Sequence, residues 1–195
     1  MARKSTEVRK EEIKLAVLKI IREEGIKSIS TKNLAKYTNL SEGAIFRHFK
    51  SKRDIIIAII DDVAKDMIGN LEKIATSSIE PKQRLFDFLC SHIQYLTTHQ
   101  GITILLFTEA SQQNDTQMIE KLNHIFNTQR KLVAKILEAG ISQKIWNKNT
   151  SIEDASFFYM GIPITYNISI ILSKSDSDYT DFCKRMMHLL ERMLQ

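Results

Sequence analysis

The stretch Asn39–Lys52, NLSEGAIFRHFKSK, places a glycine, two phenylalanines, a histidine and three Lys or Arg side chains within fourteen residues. These types suit contact with a nucleic acid. The Arg47 guanidinium is a rigid fork that matches guanine bidentately or grips a phosphate. His48, Lys50 and Lys52 are donors to phosphate. Gly43 is a weak helix former, costing about 1 kcal/mol against alanine. It has no Cβ, and with the small Ala44 beside it the backbone can approach base edges or a thymine methyl. Ile45 and Phe49, four apart, share one face and would hold the segment against Leu34 and Val17. Phe46 is balanced between packing and base contact.

The elements that must position these groups follow from periodicity and caps. Ile13, Ala16, Val17, Ile20 and Ile21 recur at helical spacing across Thr6–Glu24, and Gly25 reads as the C-terminal cap. Ser30–Thr31 opens a short helix carrying Leu34 and Ala35, which ends at Thr38–Asn39. Asn39 tolerates a left-handed turn. Ser41 caps a second short helix ending near His48–Phe49, and Ser51 caps a longer one from Lys52 through Ile55, Ile59 and Val63 toward Ile74. Two short helices joined by a tight turn behind a longer helix form a helix-turn-helix pattern, within about residues 30–49. Lys50 and Lys52 flank the next helix start, whose amides and dipole favour a phosphate, and Ser30, Thr31 and Lys32 make a similar site.

The remainder reads as helix after helix. Ala75–Pro81 is a break, with Pro81 in the first turn of a helix that reaches His99–Gly101. The apolar run Gly101–Ala110 is assigned to helix because no second strand candidate exists. A long amphipathic helix covers Thr116–Ala139 with Gly140 as its cap. The loop Asn147–Asp154 leads into an apolar helix, Ala155–Leu172, with Pro163 inside it, and a last helix spans about 177–194. The fold class expected is all-α, with a three-helix DNA-binding domain over 6–66 and a helical bundle over 67–195.

Charge agrees with this division. Residues 1–53 hold 14 Lys or Arg against 6 Asp or Glu, a net of +8, while the remaining residues hold 14 against 17, a net of −3. The overall +5 therefore comes from the first quarter, which points to a polyanionic partner. A composition 43% hydrophobic and 26% charged is that of a globular chain. No uncharged apolar run of membrane-spanning length is expected, nor a signal peptide. The separated Cys90 and Cys183 suggest reduced cytosolic thiols, with nothing basic nearby to activate either. His92, His99, His124 and His188 lack ligand spacing and read as surface or satisfied core residues, so no metal or cofactor is expected. No phosphate loop, nucleophile elbow, zinc-protease motif or carboxylate cluster argues for an enzyme.

Gly25, Ser30–Thr31, Leu34–Ala35, Ser41, Gly43, Ile45, Phe46, His48, Phe49, Ser51 and Lys52 together resemble the tetracycline-repressor (TetR) family of bacterial transcriptional regulators over about residues 6–66. The resemblance implies a cytoplasmic homodimer whose helix-turn-helix units enter successive major grooves of a palindromic double-stranded DNA operator. It also implies a C-terminal domain that binds a small molecule and releases DNA, most simply as a repressor, otherwise as an activator. Thr31, Lys32, Gly43, Ala44, Phe46, Arg47, His48 and Lys52 fall on positions that commonly touch DNA. Phe46 replaces the family's usual Tyr and loses a hydroxyl; Asn39 replaces its usual turn glycine.

Phe86, Tyr95, Phe107, Phe126, Phe157 and Tyr166 are candidates to line an apolar ligand pocket, although helical spacing makes most aromatics ordinary core. A kink at Pro163 would open space beside its helix. No charged cluster converges there, so an apolar effector is expected. The last two helices, apolar on more than one face, are expected to pair with those of a second copy. A helical scaffold or membrane-surface protein with a basic N-terminal segment is the other class considered; it leaves the Gly43–Lys52 pattern unexplained.

Overall fold

The computed structural model describes residues 4–99, 102–173 and 179–195. Gly101 and Ser177, expected helix boundaries, lie outside the described residues. Among the described residues there are ten α-helices and no strand: α1 Thr6–Glu24, α2 Thr31–Thr38, α3 Glu42–Phe46, α4 Lys52–Val63, α5 Gly69–Ala75, α6 Pro81–Thr98, α7 Ile102–Gln112, α8 Thr116–Ser142, α9 Ile152–Ser173 and α10 Tyr179–Leu194. A 3₁₀ turn, Ile26–Ser28, follows α1, and a π-helical turn, Ala64–Ile68, separates α4 from α5. The all-α class expected from the sequence is the one observed. Packing divides the chain into two compact units, residues up to Asp62 with Leu105–Ile119, and Val63–Ile104 with Glu120–Gln195.

In the first unit, serines start four helices. The Ser5, Ser30, Ser41 and Ser51 hydroxyls accept from the N–H groups of Val8, Asn33, Ala44 and Asp54 at 3.1–3.3 Å. Each satisfies an amide that the first helical turn leaves unpaired. Helix α1 ends on Gly25, at φ 87°, whose N–H donates to the Ile21 carbonyl at 3.0 Å. Asn39, at φ 54° and ψ 37°, makes the left-handed turn between α2 and α3. Ile13, Val17, Ile20, Leu34, Ile45, Ile56 and Ile60 are buried. Lys14 is buried too, its ammonium held by Glu11 at 2.6 Å and by Asp62.

In the second unit α6 is central, packing against α5, α9 and α10. Leu85, Phe88, Leu89 and Ile93 supply its buried face. The buried Arg84 donates to the Ala75 carbonyl at 2.9 Å, closing the corner between α5 and α6. Asn147 ties down the end of α10 by donating from its backbone to the Leu194 carbonyl at 2.8 Å and from its amide to the Gln195 carbonyl at 3.0 Å.

Three expectations are corrected here. Gly140 does not cap α8, which runs on to Ser142; it lies against the buried Trp146 ring, which a Cβ at that position would overlap. The residue is small for packing, not for turning. Ile152–Leu172 is, by length and composition, apolar enough to cross a membrane, and 39% of that stretch is buried in the chain. His92 is buried but not satisfied: Gln129 lies 3.1 Å from Nε2, while Nδ1 has no partner. Burial lowers its pKa to about 4, so the imidazole is neutral.

Candidate nucleic-acid interface

The α2–turn–α3 unit is anchored from beneath by Leu34, Ile45 and Phe49, all buried. The Lys10 ammonium stands over the Phe49 ring at 5.8 Å. With Ile45 and Phe49 facing inward, the helical phase turns Gly43, Phe46 and Arg47 outward, and all three are exposed. Gly43 has nothing within 4 Å of where a Cβ would stand. The chain itself therefore supplies no packing reason for a glycine in that short helix. Phe46 is 48% exposed, a large apolar cost in water for a ring with no hydroxyl. Lys32, Arg47 and Lys50 are exposed and carry no ion pair among the described residues.

The other expected contacts are more constrained. Ser30 is exposed, with its hydroxyl engaged as the α2 cap, and the Thr31 hydroxyl donates to Glu42 at 2.6 Å, tying α2 to α3. Ala44 and His48 are half-buried, and the His48 Nδ1 has no partner. Helix α3 ends at Phe46 rather than near Phe49, although the turn continues as the His48 and Phe49 amides both donate to the Ile45 carbonyl. Lys52 is held 3.0 Å from Glu109, a carboxylate only 5% exposed, which also accepts from Gln113. Next to it Arg53 grips Asp115 through two bonds, at 2.5 and 2.9 Å, and Gln117 at 2.9 Å. The Arg53 guanidinium holds the Asp115 carboxyl below the usual carboxylate range. These pairs join the start of α4 to α7 and the start of α8. No local sequence signal reveals them, because the partners lie more than fifty residues away.

Of the six aromatics expected to line a pocket, Tyr95 and Phe157 border depressions among the described residues. Tyr95 stacks on His99 at 3.9 Å and lines a depression of about 180 Å³ with Met67, Asn70 and Ser91. Phe157 is 61% exposed and lines a separate open depression of about 610 Å³ with Phe158 and Met193. Tyr166 is buried, its ring 4.6 Å from Phe182. Phe86 and Phe126 are half-buried, and Phe107, exposed, belongs to the first unit. Helix α9 is unbroken through Pro163, and neither depression borders that residue.

An all-helical chain with a basic N-terminal helix-turn-helix belongs to the class of helix-turn-helix DNA-binding proteins. Comparison with known proteins narrows the class. Residues 16–59 match the family described as "Bacterial regulatory proteins, tetR family". The chain is 25% identical over 126 residues to the fatty acid metabolism regulator protein of Bacillus subtilis, covering 65% of this chain and 64% of that protein, just under two thirds of its length. It is 24% identical over 139 residues to the nucleoid occlusion factor SlmA of Actinobacillus pleuropneumoniae, covering 71% and 69%. Its fold matches the crystal structure of the FadR regulator of Bacillus subtilis in complex with stearoyl-CoA, with a TM-score of 0.76, 20% identity and coverage of 92% and 96%. The ketosteroid regulator KstR2 of Mycobacterium tuberculosis matches with a TM-score of 0.79, 14% identity and coverage of 96% and 95%. The match over residues 16–59 and the shared fold support a transcriptional regulator of the TetR family.

Proposed function

We propose that the protein is a repressor that binds a palindromic operator as a homodimer in the cytoplasm and is released by a small apolar ligand. The observation that carries this reading is α3: anchored by Ile45 and Phe49, it offers water a bare Gly43, an exposed Phe46 and an unpaired Arg47. Ser30, Thr31, Lys32, Gly43, Ala44, Phe46, Arg47, His48 and Lys50 form the DNA face. Lys52 reaches a phosphate only by leaving Glu109.

Dimerisation is supported by an uncovered apolar surface. Phe157, Ile164, Ile168 and Leu172 lie along one stripe of α9 at spacings of three and four, with the exposed Gly161 in line. Phe158, and Leu189 and Met193 of α10, add to it. Such a surface exceeds scattered apolar exposure and suits a second copy of the same helices. Repression is favoured by the relative named a transcriptional repressor, KstR2 of Mycolicibacterium smegmatis. An effector with a long apolar chain is favoured by the stearoyl-CoA bound to the FadR neighbour. To test the reading, genomic fragments retained by the protein are sequenced and titrated, then challenged with long-chain acyl thioesters. Inverted repeats holding two protomers and released by the acyl compound support it; retention of unrelated sequences with equal affinity contradicts it.

A further inference from the structure

Met67 is shared by two features of the second unit. It lines the depression of about 180 Å³ with Asn70, Ser91 and Tyr95, and its sulfur accepts from the amide of the buried Gln129 at 3.4 Å. Gln129 Nε2 also lies 3.1 Å from Nε2 of His92, a residue only 4% exposed. A thioether sulfur has no proton and can only accept, so it fixes the Gln129 amide with its nitrogen turned to the sulfur. That NH2 group then donates to the imidazole as well, which makes His92 Nε2 an acceptor. A neutral imidazole carries one proton, and here it must sit on Nδ1. Nδ1 is buried and has no hydrogen-bond partner. The core of this unit therefore holds an N–H donor with nothing to receive it.

Buried donors are almost always paired, and an orphan destabilises the fold, so this one calls for a use. Burial keeps the ring neutral, which matches a neutral acceptor such as a carbonyl oxygen; a carboxylate would call for the imidazolium. Access has a structural basis too. Met67 lies in the π-helical turn Ala64–Ile68, a distortion frequent at functional sites, and its unbranched side chain adapts readily. Ser91 and Tyr95, which flank His92 in α6, line the same depression as Met67.

We propose that His92 Nδ1 donates to the acyl carbonyl oxygen of the effector, with Met67 as the side chain that moves to admit it. The inference rests on the long-chain acyl effector argued above and names the group that recognises it. Gln129 is a positioning residue: by donating to Nε2 it keeps the proton on Nδ1, where the carbonyl needs it.

The test compares stearoyl-CoA with its thioether analogue, S-octadecyl-CoA, which differs only in lacking the carbonyl. The full chain, labelled with 15N-histidine, should show the His92 proton on Nδ1 and none on Nε2. Stearoyl-CoA should shift that Nδ1–H resonance and the thioether should not. In titrations the wild-type protein should prefer the thioester by about tenfold, the worth of one buried hydrogen bond. His92→Leu should abolish the preference by weakening the thioester alone, and Gln129→Leu should shrink it as the proton redistributes between the two ring nitrogens. A proton found on Nε2, equal wild-type affinity for both compounds, or a preference that survives in His92→Leu would each overturn the proposal while leaving a long-chain effector standing. Binding of neither compound to the wild-type protein would overturn both the proposal and the acyl reading beneath it.

Discussion

At the scale of single residues, Gly43 and His92 carry consequences of opposite kind. A methyl group at Gly43 meets nothing in the protein, and alanine is the better helix former. Gly43→Ala should therefore leave stability unchanged or raise it by up to about 1 kcal/mol, while weakening binding to the selected DNA. Thermal unfolding and a binding titration on one preparation check both halves. His92 behaves differently because it is neutral in the fold and titrates near its ordinary value once unfolded. Its folded pKa is depressed, so the unfolded chain binds the extra proton and stability falls as pH drops from about 6.5 toward 4. The loss should be about 2 kcal/mol by pH 5 in urea titrations, and should shrink in His92→Gln. A pH-independent midpoint through that window would be inconsistent with a buried neutral imidazole.

At the scale of elements, the ion pairs at the start of α4 matter most. Lys52 occupies a position that the family resemblance associates with DNA, yet its ammonium sits on the nearly buried Glu109. Lys52→Ala should lower stability by roughly 1–3 kcal/mol, since the carboxylate then keeps Gln113 but loses its countercharge. Adding Glu109→Gln should restore part of that loss. A side chain that served only a phosphate would leave urea stability untouched. These elements also mark what a sequence can express. Ser30, Ser41 and Ser51 act on the helix that follows each, and Gly25 and Asn39 turn the chain at their own positions, so α1 to α4 were legible from local signals. Gly140 gives the same local signal as a cap; only the position of Trp146 distinguishes close packing from termination. The Lys52–Glu109 and Arg53–Asp115 pairs were illegible because tertiary packing alone joins them. The aromatics scattered over α6 to α9 share helical spacing whether they fill a core or face a ligand, so periodicity alone does not separate the two roles.

At the scale of the whole molecule, the uneven charge and the apolar stripe of α9 point to two partners, DNA and a second copy. Sedimentation at micromolar concentration should give twice the 22.5 kDa of one chain. Phe158→Glu, replacing a ring that is 58% exposed, should shift the protein to monomers with unchanged helix content. A wild-type monomer would remove the basis for paired half-sites. The central claim, that α3 reads DNA while neighbouring cations grip its backbone, is tested most directly by the salt dependence of binding to a selected genomic fragment. Lys32→Ala should weaken binding to all duplexes and lower the slope of log affinity against log salt by about 1. Arg47→Ala should instead cost about 1–3 kcal/mol on the selected fragment and narrow its advantage over unrelated DNA. Wild-type affinity, slope and sequence preference in both variants would contradict the assignment of α3 as the reading helix.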